Sequence, residues 1–270
     1  MLPSIMAQPP YVVIPIEPTF RITDWNGRAI EAAQSRGNVV AVADFSDNLM
    51  RLESALWPTA AVLQKLCRNP RHEEAFDGQA RQLLTERLGF YSDLQSLHSE
   101  DAITWSFFGT LSMASPVKRT AFLNWLLNRI ELPANEKDCT IELWRRIPHP
   151  DTQGMGGPEI DFFVQGDRTI IVGEAKWRSG EGSGQGLSGN KSQLQLRREF
   201  CDGVARHIFR EFRFVVVNVV WHSPFVTDSP CNAPITMRTI AWSDLASWSE
   251  HPNTTEFRLY YEWKQRWSKK

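Results

Sequence analysis

Three short runs of this 270-residue chain hold side chains suited to hydrolytic chemistry. In Glu159-Ile160-Asp161-Phe162-Phe163-Val164, a strand's period of two sets Glu159 and Asp161 on one face and the apolar Ile160, Phe162 and Val164 on the other. In Ile170-Ile171-Val172-Gly173-Glu174-Ala175-Lys176-Trp177, the same period sets Glu174 beside Lys176. Both runs are otherwise apolar, and ionised groups on buried strands are costly unless paired or metal-bound. Asp161 and Glu174 are thirteen residues apart, a spacing that suits adjacent strands of a hairpin and lets two carboxylates converge on one hard cation. Further on, Gln193 and Arg197 stand one helical turn apart and share a face.

The elements that must position these residues follow from the hydrophobic pattern. Leu49, Leu52, Leu56, Ala60, Leu63 and Leu66 recur at three- and four-residue steps, as do Leu83, Leu84, Leu88, Tyr91 and Leu94. This predicts a mainly helical region over residues 1–97, preceded by a proline-punctuated arm or edge strand within the first twenty residues. Ser99 reads as the cap of a helix with Glu100 and Asp101 in its first turn, where either acid also suits the positive helix end. A helix follows Pro116. Three strands then form a meander over 140–147, 159–164 and 168–177, with a polar glycine-rich loop over 178–189. A long helix over 191–211, strands over 213–221 and 235–242, and a short helix capped by Ser243 complete the pattern. The class is α/β, with a mixed sheet of four or five strands flanked by helices over residues 98–270.

Composition narrows the setting. Thirty Lys and Arg against thirty-one Asp and Glu give a net charge of -1, which excludes a histone-like polycation. The stretch from Lys176 to Arg213 is locally basic, with eight cations against four acids, and any nucleic-acid contact must come from such a face. No apolar run approaches the ~20 residues of a spanning helix, and the first residues lack a secretory pattern, so the expectation is a cytoplasmic protein with no membrane contact. Cys67, Cys139, Cys201 and Cys231 form no CxxC pair and read as reduced thiols. No phosphate-loop motif and no nucleophile elbow occur. His149, His207 and His222 read as packed or surface residues. Trp105, Trp125, Trp144 and Trp221 read as core; Trp263 and Trp267 suit either a packed terminal helix or stacking on bases.

Pro158-Glu159-Ile160-Asp161, followed on the next strand by Glu174-Ala175-Lys176, resembles the PD-(D/E)XK superfamily of restriction and repair nucleases. The run Gln193-Leu194-Gln195-Leu196-Arg197 is similar to the opening of the helix after the ExK strand in many members. The resemblance covers roughly residues 98–242 and implies a restriction-endonuclease-like core of helix, three-strand meander, helix and strands. It implies a Mg²⁺-dependent DNA endonuclease, with Mn²⁺ as a substitute, in microbial defence or repair. Asp161, Glu174 and the main-chain carbonyl of Ala175 would hold the metal, with Glu100 as a further ligand candidate and Asp101 as its rival. Lys176 would orient or deprotonate the attacking water or neutralise the phosphoryl group. Gln193 would assist at the water, and Arg197 and Lys191 would contact the substrate. A homodimer or a partner subunit is a further expectation. The second reading from the same residues is a non-catalytic nucleic-acid-binding or assembly module on this fold.

Overall fold

In the computed structural model the described residues are 19–268, apart from 69–74, 77, 87, 148, 150, 152–156, 179–188, 223–225 and 228–232. The expected arm before residue 19, most of the glycine-rich loop, Cys231 and the two final lysines therefore lie outside them.

The chain opens as an antiparallel meander, β1 (Phe20–Thr23), β2 (Ala29–Gln34) and β3 (Val40–Val42). This corrects the mainly helical expectation for residues 1–97. The turn residues decide it: Gly27 follows Asn26 at φ +79°, and Asn38 follows Gly37 at φ +59°. Asp24 seals the first turn by accepting from the backbone N–H groups of Asn26 and Arg28 at 2.9 and 2.8 Å. Helices α1 (Ala60–Arg68) and α2 (Gly78–Thr85) do form, but Leu49, Leu52 and Leu56 lie before α1 in turns and extended chain.

Ser99 caps α3 (Glu100–Thr104) by accepting from the Ala102 N–H. The helix passes through a π turn at Trp105–Gly109 into α4 (Thr110–Ser112), and α5 (Pro116–Arg129) follows. A Cβ on Gly109 would lie 2.4 Å from the Trp105 ring, so this turn needs glycine. Ala102 to Leu111 is buried throughout, as befits a helix enclosed on all sides.

The main sheet is mixed, in the order β4-β5-β6-β7-β9-β8. Strands β4 (Cys139–Arg146), β5 (Glu159–Gly166) and β6 (Thr169–Ala175) run antiparallel as the expected meander. After β6 the chain crosses through α6 (Gln193–Phe200), a π turn at Cys201–Ala205 and α7 (Arg206–Ile208) to reach β7 (Arg213–Val220), which is parallel to β6. Strand β9 (Ile235–Ala241) is parallel to β7, and the two-residue β8 (Val226–Thr227) closes the edge. The short helix α8 (Trp242–Ala246) starts one residue before Ser243, which therefore lies inside it.

Two cores flank the sheet. On one side Phe162, Val164, Ile171, Val217 and Ile240 pack against the central helices, α5 and the amino-terminal meander. On the other, Ile160, Ile170, Val172, Phe214 and Val216 pack against Leu194, Cys201 and Ala205. The amino-terminal meander thus shares the main core. The last helix, α9 (Thr254–Trp267), ties the layers together: Trp263 Nε1 donates to the Thr23 carbonyl at 2.8 Å and Tyr260 Oη to that of Asn48 at 3.0 Å. Trp177 Nε1 donates to Ser268 Oγ at 3.0 Å, which donates to the Leu97 carbonyl at 2.8 Å. Trp263 is buried edge-on to Trp25, and Trp267 packs on the same core, so both tryptophans serve the terminal helix.

Candidate active site

Strand register brings the two central acids together. Phe162 pairs with Gly173, and continuing that register sets Asp161 opposite Glu174. The paired ladder stops one step short of them, and the strands part. Asp161 takes over the vacated role, its Oδ2 accepting the Ala175 N–H at 2.7 Å. On the other side of β5, Leu143 pairs with Phe162 and Arg145 with Ile160, while the position between them, Trp144 opposite Asp161, is skipped. Trp144 has φ +54°, a strained conformation for a bulky residue. The strict alternation expected along β5 breaks here as well. Ile160 joins the core under α6, whereas Phe162 and Val164 join the opposite one.

Glu174 is 0% exposed and holds a cation on each oxygen: Lys176 Nζ on Oε1 at 2.8 Å and Arg197 Nη2 on Oε2 at 3.0 Å. Lys176 also reaches Glu100 Oε2 at 3.3 Å, and its own N–H donates to the Val219 carbonyl at 2.7 Å, continuing the β6–β7 ladder one residue further. Arg197, 1% exposed, also donates through Nη2 to the Glu159 carbonyl, so one guanidinium ties the start of β5 to the end of β6. Its Nε and Nη1 are buried and find no acceptor among the described residues. The cap at Ser99 and the first turn of α3 place Glu100 and Asp101 at this same point. Asp101 accepts Lys65 of α1 at 3.0 Å, and Lys65 spans to Glu159 Oε1 at 2.5 Å.

These groups line one cleft of about 680 Å³, together with Gln193 at the start of α6 and Ser35, Gly37 and Val39 from the amino-terminal meander. Among the described residues, six carboxylates (Asp93, Glu100, Asp101, Glu159, Asp161 and Glu174) face three cations there, Lys65, Lys176 and Arg197. The excess negative charge shows in the titrations. Burial, then the neighbouring charges of Glu174 and Asp101, hold the Asp161 pKa well above the usual carboxylate range. Burial pushes Asp101 up to about 6 against the pull of Lys65. Burial alone would lower Lys176, but Glu174 and Glu100 outweigh it and its pKa is raised, so it stays cationic at neutral pH.

Of the residues expected from the sequence, Asp161, Glu174, Lys176, Gln193, Arg197 and Glu100 meet at this place, and Ala175 adjoins it through its N–H on Asp161 without lining the cleft. Lys191 does not. It is bound by Asp151 and Glu199, each at 2.7 Å, and is not part of the cleft wall. His149 lies outside too, its Nδ1 accepting the Asp151 N–H at 3.0 Å. Lys65 went unrecognised. Its only sequence signal is its place three residues after Val62, beside the buried stripe of an amphipathic helix.

The donor set offers hard oxygen ligands, two carboxylates at facing positions with a carbonyl next in chain, which suits Mg²⁺ or Mn²⁺ in kind. Among the described residues no three His, Cys, Asp or Glu side chains are gathered closely enough to hold a metal ion as they stand. An incoming cation would have to exchange for Lys176 or Arg197 on Glu174 and for the Ala175 N–H on Asp161. Compared with family models, curated proteins and solved structures, the chain shows no match.

Proposed function

We propose that this cleft hydrolyses phosphodiester bonds of DNA with the help of a divalent cation, on a core of the restriction-endonuclease-like type. One observation carries the reading: Asp161 and Glu174 occupy facing positions where β5 and β6 part, with Lys176 bonded to Glu174 in the same cleft. Two like charges held in register on buried strands are unfavourable unless a cation relieves them, and a surface ion pair would need neither the burial nor the parted strands.

Asp161, Glu174 and the Ala175 carbonyl would hold Mg²⁺, with Glu100 and Asp101 as outer acids. When bound, the ion stabilises charge on the phosphoryl oxygens and makes water a better nucleophile. The chain's own groups do the rest. Lys176 keeps its proton at neutral pH, so it serves as an electrostatic partner of the phosphoryl group or a donor to the attacking water, and the base role is set aside. Arg197 fixes Glu174 against the first residue of β5 and so holds the spacing of the carboxylates. Gln193, at the start of α6, is placed to orient the water.

The test is incubation with linear, supercoiled and single-stranded DNA and with RNA, in Mg²⁺, Mn²⁺ or EDTA. DNA cleavage in Mg²⁺ or Mn²⁺, absent in EDTA and in Asp161→Asn, is the expected result. DNA binding without cleavage under every metal would favour the non-catalytic binding module. Neither binding nor cleavage would remove both readings.

A further inference from the structure

Lys65 stands outside the sheet, on a helix of the amino-terminal layer, yet its ammonium lies inside the cleft. It is 7% exposed, bonds Asp101 at 3.0 Å and Glu159 at 2.5 Å, and lies 5.1 Å from the centre of the Trp144 ring. A buried ion triad is a poor anchor, because desolvating three charges offsets most of their attraction and apolar side chains would join α1 to β5 at least as well. The ring beneath it belongs to the residue held at φ +54° opposite Asp161. Strain of that kind persists where the surroundings over-determine it, and sites are where it gathers. Buried cation, strained ring and facing acids therefore coincide at one place.

We propose that Lys65 is a substrate contact: its ammonium meets a phosphate of the nucleic-acid strand lying in the cleft, one supplied by the amino-terminal layer to chemistry carried by the sheet. This inference rests on the nuclease reading given above. It assigns the meander-and-helix layer a part in holding the strand. In the structure Asp101 and Glu159 keep the ammonium in place, each presenting a carboxylate oxygen. A phosphodiester offers the same acceptor chemistry, one negative charge shared by two non-bridging oxygens, and a cation drawn by the acid excess would take over the two carboxylates that Lys65 releases. Trp144 holds the ammonium from the far side through its ring face.

The test separates this inference from the reading beneath it. Binding of the wild-type chain to a DNA duplex is measured with Ca²⁺ in place of Mg²⁺ over a series of salt concentrations, beside Lys65→Gln and Lys65→Arg. Each phosphate neutralised by a lysine contributes about 0.9 to the slope of log affinity against log salt. Lys65→Gln should lower that slope by about 0.9 and lose at least tenfold in single-turnover cleavage, and Lys65→Arg should keep the wild-type slope. Because Lys65→Gln could unfold, the wild-type protein gives a second measurement. DNA bearing an abasic aldehyde is incubated with it under cyanoborohydride, and the trapped lysines are read by mass spectrometry. Lys65 should be among them. A wild type that cleaves DNA, with an unchanged slope in folded Lys65→Gln, or with Lys65 missing from the trapped set, overturns the contact and leaves the nuclease reading standing. A wild type that neither binds nor cleaves DNA sinks the nuclease reading itself, and this inference with it.

Discussion

Glu174 and Asp161 face each other across two strands but are balanced differently. Glu174 is fully buried with Lys176 and Arg197 on its two oxygens, so Glu174→Ala leaves the buried Arg197 without its counter-charge. Breaking such a pair costs about 3–5 kcal/mol. Asp161 is held above the usual carboxylate range by burial and by Glu174, so Asp161→Asn relieves a repulsion and should be neutral or stabilising in metal-free protein. Urea unfolding of both variants in EDTA checks this, and a strongly destabilised Asp161→Asn would count against it. Both should lose cleavage. Asp101 gives a pH signature. Its folded pKa of about 6 lies above the ordinary 3.8, so the folded state binds the proton more tightly. Its contribution to stability is present below about pH 4 and fades as pH rises through 6. Asp101→Asn should flatten the wild-type decline in stability between those limits, as followed by chemical denaturation at a series of pH values. For Lys176→Ala the expected loss is roughly a hundredfold in single-turnover rate, the scale of a positioned electrostatic group, with DNA binding nearly kept. Full activity in that variant would remove Lys176 from the mechanism.

At the scale of elements, the paired acids depend on how β5 and β6 approach. A Cβ on Gly173 would come within 2.1 Å of the Phe162 ring, which itself stacks on Phe108 at 3.9 Å between centroids. Gly173 precedes Glu174 and Phe162 follows Asp161, so the ring crossing the glycine sets the spacing next to both carboxylates. Gly173→Ala should cost about 1–3 kcal/mol from overpacking and lower cleavage as the acids shift. Phe162→Leu combined with Gly173→Ala should recover part of both losses, because the smaller side chain clears the new methyl; a double-mutant cycle measures the coupling. These strands were legible in the sequence, since Asp161, Glu174 and Lys176 interrupt apolar runs of period two and Ser99 announces the helix carrying Glu100. The break in β5 was not legible. Ile160 has the same type and spacing as Phe162 and Val164, and only the strained Trp144 on the neighbouring strand goes with the change of side. The meander of β1 to β3 was missed because Ala29, Ala32 and Ala33 are weak strand formers, although Asn26-Gly27 is a hairpin signal in plain view. Lys65 was missed because a lysine on an amphipathic helix ordinarily faces water.

For the whole molecule, another buried cation lies behind the cleft wall rather than in it. Lys264 of α9 is 0% exposed, its Nζ has no hydrogen-bond partner among the described residues, and the rings of Trp177 and Tyr260 each lie 5.9 Å away. Burial lowers its pKa to about 7 from the ordinary 10.5. The folded chain therefore binds this proton less tightly than the unfolded one. The associated stability is present above about pH 10.5 and is lost as pH falls through 7. Lys264→Met, of similar length and without charge, should raise the melting temperature most at pH 6 and least at high pH. A uniform shift at every pH would show that packing alone changed. Trp177, the residue next to Lys176, is hydrogen-bonded to Ser268, and Ser268 to Leu97. The strand end that bears the site is thus latched by side chains made some ninety residues later. During synthesis on the ribosome, β5 and β6 emerge long before that latch exists, so a nascent chain carries the acids without the finished cleft. Whatever the finished cleft does therefore waits until residue 268 has been made and has folded back onto Trp177 and Leu97.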